Sequence, residues 1–136
     1  VDAEFAEDGT VKSVGTQNFG NIRLYADNFV LASGSFFSKG MIATPDRIYE
    51  PVFGVDLSYA EGRDQWFDKN FWNKQNYISY GAKVSKFLHA SIDGKPVGNL
   101  YAIGSLIGGS NTLYEGCGGG IALLTALAAA DGILEK

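Results

Sequence analysis

One cysteine, Cys117, and one histidine, His89, stand in 136 residues. A lone thiol excludes an internal disulfide and any zinc or iron–sulfur centre that needs several cysteines from this chain. Cys117 and His89 would need carboxylates to complete a metal shell, and no spacing suggests such a set, so no metal is expected. The cysteine count fits a reducing compartment. Positive charge is also scarce: 11 Lys and Arg face 15 Asp and Glu, for a net charge of −4. Without a basic stripe, the broad phosphate-backbone contact that holds nucleic acid is excluded. No apolar run reaches the roughly 20 residues needed to span a bilayer, so no transmembrane segment is expected in this chain. No basic-then-apolar leader and no repeat of 20–50 residues is present. The opening Val1-Asp2-Ala3-Glu4, which lacks a Met, is read as the start of a processed product or of a piece of a longer protein.

What the chain does have is apolar mass and glycine. It is 46% hydrophobic and 19% charged, enough for a core at a length typical of one domain. Its 18 glycines are about 13% of the residues, against roughly 7% in ordinary proteins. They follow no collagen-like period, and several cluster near the C-terminus.

Residues 1–35 read as strands of a sheet. Ala3 to Glu7 meets the turn signal Asp8-Gly9, and Val11 to Val14 follows, a β-hairpin pattern. Ile22 to Tyr25 alternates, and Phe29-Val30-Leu31-Ala32 is continuously apolar, as in a strand buried on both faces of a parallel sheet. Residues 36–98 read as a loop-rich insertion, interrupted by Pro45 and Pro51 and rich in aromatics: Tyr59, Trp66, Phe67, Phe71 and Trp72. These rings are expected to pack a satellite core, with a partner-facing surface as the alternative. A short helix is expected near residues 62–74, a strand over Tyr77 to Gly81, and a turn within Ser91 to Pro96. Residues 99–136 read as a short buried strand, Asn99 to Gly104, then a glycine-rich loop and a buried helix from Ile121 to about Leu134. Thr125 is the only polar residue from 121 to 130, so the helix is expected inside a larger assembly. The fold class is α/β.

Two places suit a ligand. One is the strand end Ala32-Ser33-Gly34. The other is the end at Gly104-Ser105, with the run Gly116-Cys117-Gly118-Gly119-Gly120 opening the last helix. In open α/β sheets ligands sit beyond the carboxyl ends of strands. Glycines let a ligand approach the backbone, and the first N–H groups of a helix lack intrahelical partners and carry partial positive charge. A nucleotide or flavin is implied, with tight helix–sheet packing as the plainer reading of the glycines. No GxGxxG follows the first strand, and no acidic residue stands at the ribose-binding spacing. The segment that normally grips a dinucleotide pyrophosphate is therefore not found in these residues.

Residues 29–38, FVLASGSFFS, then Glu50 to Asp56, Asn99 to Ser105, Gly108-Gly109 and the Gly-Cys-Gly-Gly-Gly run closely resemble the C-terminal part of the B-subunit family of anaerobic glycerol-3-phosphate dehydrogenase. The likeness runs from about residue 10 to the C-terminus. Ser-Gly-Ser-Phe-Phe and Gly-Cys-Gly-Gly-Gly are its specific parts, and residues 78–98 follow it less clearly. The strand-then-Ala-x-Gly blocks are shared with other two-dinucleotide-fold flavoproteins, including fumarate-reductase-like enzymes.

The resemblance implies the C-terminal part of a flavin-binding domain with an FAD/NAD(P)-binding, Rossmann-like fold. It implies FMN as cofactor, or FAD as the alternative. The partners it implies are an iron–sulfur membrane anchor and an FAD-bearing A subunit. The activity it implies is oxidation of glycerol 3-phosphate to dihydroxyacetone phosphate, in anaerobic respiration, with electrons passed to quinone. The location implied is cytoplasmic, peripheral on the inner face of the cell membrane through those partners. The cofactor-binding residues it points to are Ala32, Ser33, Gly34, Gly104, Ser105, Gly116, Cys117, Gly118, Gly119 and Gly120. The N–H groups of Gly118 to Gly120 would then face the pyrimidine end of the isoalloxazine, and a β-branched residue at Gly119 should weaken flavin binding. A non-catalytic relay or scaffold role, with docking to a partner through the aromatic excursion, is the alternative. A dicarboxylate-active relative is disfavoured, because no His/Arg cluster for paired carboxylates is visible.

No catalytic residue is assigned. Cys117 is read as a small residue in a tight space rather than a reactive thiol, although helix N-termini lower thiol pKa values. No partner residue for base catalysis at His89 is evident in the sequence, and it is read as a surface or structural residue. Lys39, Arg47 and Arg63 are read as solvated charges, with contact to a substrate phosphate as the alternative. Glu50 and Glu115 remain open.

Overall fold

A computed structural model describes residues 2–16, 18 and 20–135. Strands β1 (Asp2–Phe5), β2 (Val11–Gly15) and β3 (Arg23–Tyr25) form an antiparallel meander with β2 in the middle. β2 alternates, with Val11, Ser13 and Gly15 buried and Lys12 exposed, as a strand with one face toward a core must. Gly9, at φ +82°, turns the first hairpin as its Asp-Gly signal implies. Ser13 is wholly buried yet paired: its hydroxyl donates to Glu4 and accepts from Arg23 Nε. Arg23 also reaches Asp2 at 2.9 Å, which holds the Asp2 carboxyl below its usual pKa.

The central sheet has the order β4 (Phe29–Leu31), β10 (Lys95–Ala102), β9 (His89–Ile92). β4 runs parallel to β10, with Leu31 opposite Ala102, and β9 runs antiparallel. The turn between β9 and β10 is Asp93-Gly94, both at positive φ, which an Asp-Gly pair adopts at low cost. Leu31, Ala90, Leu100, Ala102 and Leu106 are buried together with Met41, Ile48 and Val55 from the intervening segment. Asn99 clamps the meander to this sheet, its Oδ1 accepting from Val11 N–H and its Nδ2 donating to Val11 C=O.

Several expectations are corrected here. Val30 is half exposed, because β4 is an edge strand here and only one of its faces is covered by this chain's core. The segment 62–74 holds one 3-10 turn, Arg63–Gln65, instead of a helix. The side chains of Asp68, Asn70 and Gln75 take the local backbone bonds that a helix would need. Residues 77–81 form a 3-10 turn, Asn76–Ser79, followed by only the two-residue strand β8 (Gly81–Ala82), paired with β7 (Leu57–Ser58). A second such pair joins β5 (Ile42–Ala43) to β6 (Ile48–Tyr49). The aromatics divide: Trp66 is buried, its indole N–H donating to Ala60 C=O, whereas Phe67, Phe71 and Trp72 are exposed.

The chain ends in two helices, α1 (Thr112–Glu115) and α2 (Gly118–Leu134). The expected burial of α2 is not met within this chain. Ile121, Thr125, Ala129 and Ile133, spaced four apart, face the fold, while Leu123, Leu124 and Leu127 are more than half exposed. One stripe is covered because the helix packs chiefly on the 3-10 turn Gly104–Leu106 that follows β10, and on α1. Among the described residues, no helix is long and apolar enough to cross a membrane.

Candidate functional site

Parallel pairing brings the ends of β4 and β10 to one level. Past them, Ile103 N–H donates to Leu31 C=O at 3.1 Å, and the two chain segments diverge through Ala32-Ser33-Gly34 and Gly104-Ser105. Gly34 and Gly104 have φ of +79° and +68°, so both turns require glycine. The turns lie side by side, since a Cβ on Gly34 would stand 3.6 Å from Ser105 Oγ. Gly40 packs its backbone against Gly34 C=O with no room for a side chain, and Ser38 Oγ donates to Ser33 C=O. Ser33 Oγ itself is buried with no hydrogen-bond partner among the described residues.

Thr125 brings the first turns of α2 to this junction. Its hydroxyl donates to Ile121 C=O at 2.6 Å and accepts from Gly104 N–H at 2.9 Å. Ala122 therefore lies next to Gly104. α1 leads in: buried Asn111 caps it by accepting from Tyr114 N–H and donates to Gln75 C=O. Gly116 ends it at φ +65°. Cys117 sits at the N-cap of α2 but makes no side-chain cap.

Gly118, Gly119 and Gly120 are different from the other glycines. None has positive φ, and a Cβ on Gly119 or Gly120 would meet nothing within 4 Å. Glycine inside a helix costs about 1 kcal/mol relative to alanine. Gly119 and Gly120 face open space, whereas a Cβ on Gly118 would touch Thr112 Cβ at 3.6 Å, and the helix start has no side-chain cap. The unpartnered buried Ser33 hydroxyl and the two glycine turns lie at the ends of β4 and β10, and the helix seated there by Ala122 and Thr125 starts, uncapped, about one turn before Ala122. That donor-rich, side-chain-free surface fits a planar, electron-rich group approaching the backbone.

The structure thus brings Ala32, Ser33, Gly34, Gly104 and Ser105 together through strand pairing, and seats α2 on Gly104 through Thr125 and Ala122, about one turn after Gly118 to Gly120. Gly116 and Cys117 belong to the link between the helices. Partial burial and the Glu115 carboxylate, 3.6 Å from Sγ, push the Cys117 thiol pKa up, opposite to what its helix-start position would do alone. His89 opens β9 opposite Tyr101, one residue before the end of β10, with its ring tilted over the Tyr101 ring at 4.4 Å. Arg47 covers Tyr49, Arg63 covers Trp66, and Lys39 is exposed at positive φ. Glu50 is buried and accepts from the N–H groups of Val52, Phe53 and Gly54, which makes it the anchor of its own loop. Sequence reasoning missed the positioning roles of Thr125, Gly40 and Asn111. A lone hydroxyl in an alanine-leucine helix was the signal for Thr125. Among the described residues, no group of His, Cys, Asp and Glu could hold a metal ion.

Residues 1–121 match the family described as FAD binding domain. Similar proteins are named as the B subunit of anaerobic glycerol-3-phosphate dehydrogenase. One from Haemophilus influenzae (strain 86-028NP) is 46% identical over 135 residues, covering 96% of this chain and 31% of the relative. One from Pectobacterium carotovorum subsp. carotovorum (strain PC1) is 46% identical over 116 residues, covering 85% of this chain and 28% of the relative. One from Vibrio vulnificus (strain CMCP6) is 39% identical over 128 residues, covering 93% and 29%. The chain therefore spans less than a third of the length of these relatives. No solved structure matches it.

Proposed function

The chain belongs to the FAD-binding-domain family, and from that premise we propose that it supplies the C-terminal part of the flavin site in the B subunit of a quinone-linked glycerol-3-phosphate dehydrogenase. The observation that supports this reading is the run Gly118-Gly119-Gly120, three helical glycines without positive φ, opening the helix that Thr125 seats on Gly104 past the end of β10. Ala32, Ser33 and Gly34 with Gly104 and Ser105 form the floor. The Ser33 hydroxyl and the first N–H groups of α2 supply donors, and Gly116 and Cys117 set the helix start. Identity to relatives named for this dehydrogenase supports the substrate and the assembly.

A flavin held by Ala32, Ser33, Gly34, Gly104 and Ser105 with the start of α2 would supply the two-electron acceptor for oxidation of glycerol 3-phosphate to dihydroxyacetone phosphate. The chain's own part is electrostatic and steric. Uncapped N–H groups and the α2 dipole favour negative charge at the helix start, which stabilises an electron-rich group over an electron-poor one. Thr125 keeps the helix that carries those donors seated on Gly104, and the bare glycine backbone allows contact at van der Waals distance. FMN is the proposed cofactor, with FAD as the alternative. The companions proposed are an iron–sulfur membrane anchor, which would hold the complex on the inner face of the cell membrane, and an FAD-bearing A subunit.

The test is Gly119→Ala in the full-length protein. Alanine strengthens the helix by about 1 kcal/mol, so lost flavin cannot be blamed on unfolding. A several-fold drop in bound flavin with unchanged or higher thermal stability is expected, whereas full flavin content would overturn the site. A second reading is an electron relay without substrate chemistry. It is favoured because Ala32, Ser33, Gly34, Gly104 and Ser105 include no acid or base to take a substrate proton. In the same preparation, glycerol 3-phosphate bleaches the flavin under the first reading and leaves it coloured under the second.

A further inference from the structure

Next to the two glycine turns lies a recess of about 100 Å³, bordered by the 3-10 turns Phe36–Ser38 and Asn76–Ser79, the Gly104–Leu106 turn and α1. Its polar side chains are all hydroxyls: Ser35, Ser105 and Thr112, with the Tyr77 phenol. Among the described residues, none of the four has a hydrogen-bond partner for its hydroxyl. Phe36 and Tyr77, two rings of the lining, meet edge to face at 6.1 Å. Other bonds hold the surrounding segments. Ser38 Oγ donates to Ser33 C=O, Gly109 N–H donates to Ser79 C=O, and buried Asn111 ties α1 to Gln75 C=O. The frame is thus fixed without the recess hydroxyls, which leaves them for a ligand.

Chemistry narrows the occupant. Aromatic surface with a few converging polar groups is typical of small-molecule sites, but sites for drug-sized ligands run to about 300–1,000 Å³. This recess admits only a few heavy atoms. Its hydroxyls can each donate and accept, and so can neighbouring hydroxyls on a short carbon chain. No charged residue lines it, so a phosphate would lose its water there without compensation. A phosphorylated ligand therefore enters by its uncharged end. Two molecules of the proposed reaction carry such a chain: the substrate in its glycerol end and the flavin in its ribityl chain. The recess shares Tyr77, Ile78 and Leu113 with a larger groove of about 460 Å³. That groove gives a ligand exchanged at every turnover a way in and out, and it leaves a phosphate in water. A resident cofactor needs no such route, which favours the substrate.

We propose that this recess takes the unphosphorylated end of glycerol 3-phosphate, with Ser35 and Thr112 as the hydroxyls that select for it and Ser105 shared with the floor of the flavin site. This rests on the reading of the chain as part of a glycerol-3-phosphate dehydrogenase. Ser35 and Ser105 each follow a glycine turn directly, so a polyol bound between them lies next to the strand ends.

The test is Ser35→Ala with Thr112→Val in the full-length protein, its flavin kept chemically reduced so that substrate binds without turning over. The affinities for glycerol 3-phosphate and propyl phosphate, the bound flavin and the thermal midpoint without substrate are measured together. Propyl phosphate has the same carbon chain without hydroxyls, so the wild type should bind it roughly tenfold more weakly or worse. The variant should lose most of that preference, with propyl phosphate affinity, flavin content and midpoint unchanged. An undiminished preference overturns the inference. If flavin content falls while the preference stays, the ribityl chain is the occupant and the inference fails. If the substrate-free midpoint falls while the preference stays, another segment of the full-length chain already fills the recess, and the inference fails again. A wild type that holds flavin but binds neither ester overturns the substrate recess and leaves the flavin reading standing. A flavin-free wild type that shows the hydroxyl-dependent preference does the reverse.

Discussion

Cys117 shows how two influences at a helix start oppose each other. Unpaired N–H groups would favour a thiolate, but partial burial and the carboxylate of Glu115, 3.6 Å away, both disfavour it. The folded thiol therefore stays protonated to higher pH than an ordinary cysteine. Iodoacetamide, which reacts with the thiolate, should alkylate Cys117 several-fold more slowly at pH 8 than it alkylates a free cysteine peptide. Glu115→Gln removes the negative neighbour, lowers the pKa and should speed the reaction at that pH. A wild-type rate above that of the peptide would show that the helix start dominates after all. Glycines divide at this same scale. Gly34, Gly104 and Gly116 answer to positive φ, so they would be glycine whether or not a ligand exists, whereas Gly118 to Gly120 have no such backbone requirement. Sequence alone shows a cluster; only the backbone angles separate the structural members from the others.

At the scale of elements, the seat of α2 on the Gly104–Leu106 turn after β10 rests on one hydroxyl. Thr125 satisfies the Gly104 N–H and returns its own proton to Ile121 C=O. Thr125→Val keeps shape and removes both bonds, leaving the Gly104 donor without its partner, at a cost of about 1–3 kcal/mol. Thr125→Ser should retain most of the stability. Denaturant unfolding of the three proteins checks this, and equal midpoints for valine and threonine would mean that α2 is held by packing alone. The same element shows what was legible. An apolar run closed by Ser-Gly-Ser identified β4 and its parallel setting, and Asp93-Gly94 identified the β9–β10 turn, because both signals are local. The excursion was not legible as structure: a short helix is expected near residues 62–74, but Asp68, Asn70 and Gln75 bind local backbone. Nor could the sequence show which ends meet, since β4 and β10 pair across about 70 intervening residues. The adjacency of the two glycine turns, and with it the candidate site, comes from that long-range pairing.

For the whole molecule the open balance lies on the outer face of α2. Leu123, Leu124 and Leu127 are 62%, 67% and 54% exposed on a helix whose other side is seated on the Gly104–Leu106 turn. Val30, on edge strand β4, is exposed as well. Parallel strands and all-apolar helices are stable when covered on both sides, and this chain covers one. Its relatives are more than three times as long as the part it matches, so they have chain enough to supply the other layer. The exposed leucines then carry opposite signs in two preparations. In the 136-residue chain they are a liability: it should associate with itself as concentration rises, and Leu123→Gln with Leu127→Gln should return it to a monomer in sedimentation. In the full-length protein the same pair should be destabilising, because each leucine removed from a covered face forfeits roughly 1.5–3 kcal/mol of burial. A short chain that is monomeric at high concentration, together with a full-length protein indifferent to the substitutions, would mean that the outer face of α2 stays in water. The all-round apolar pattern of the helix would then need another cause.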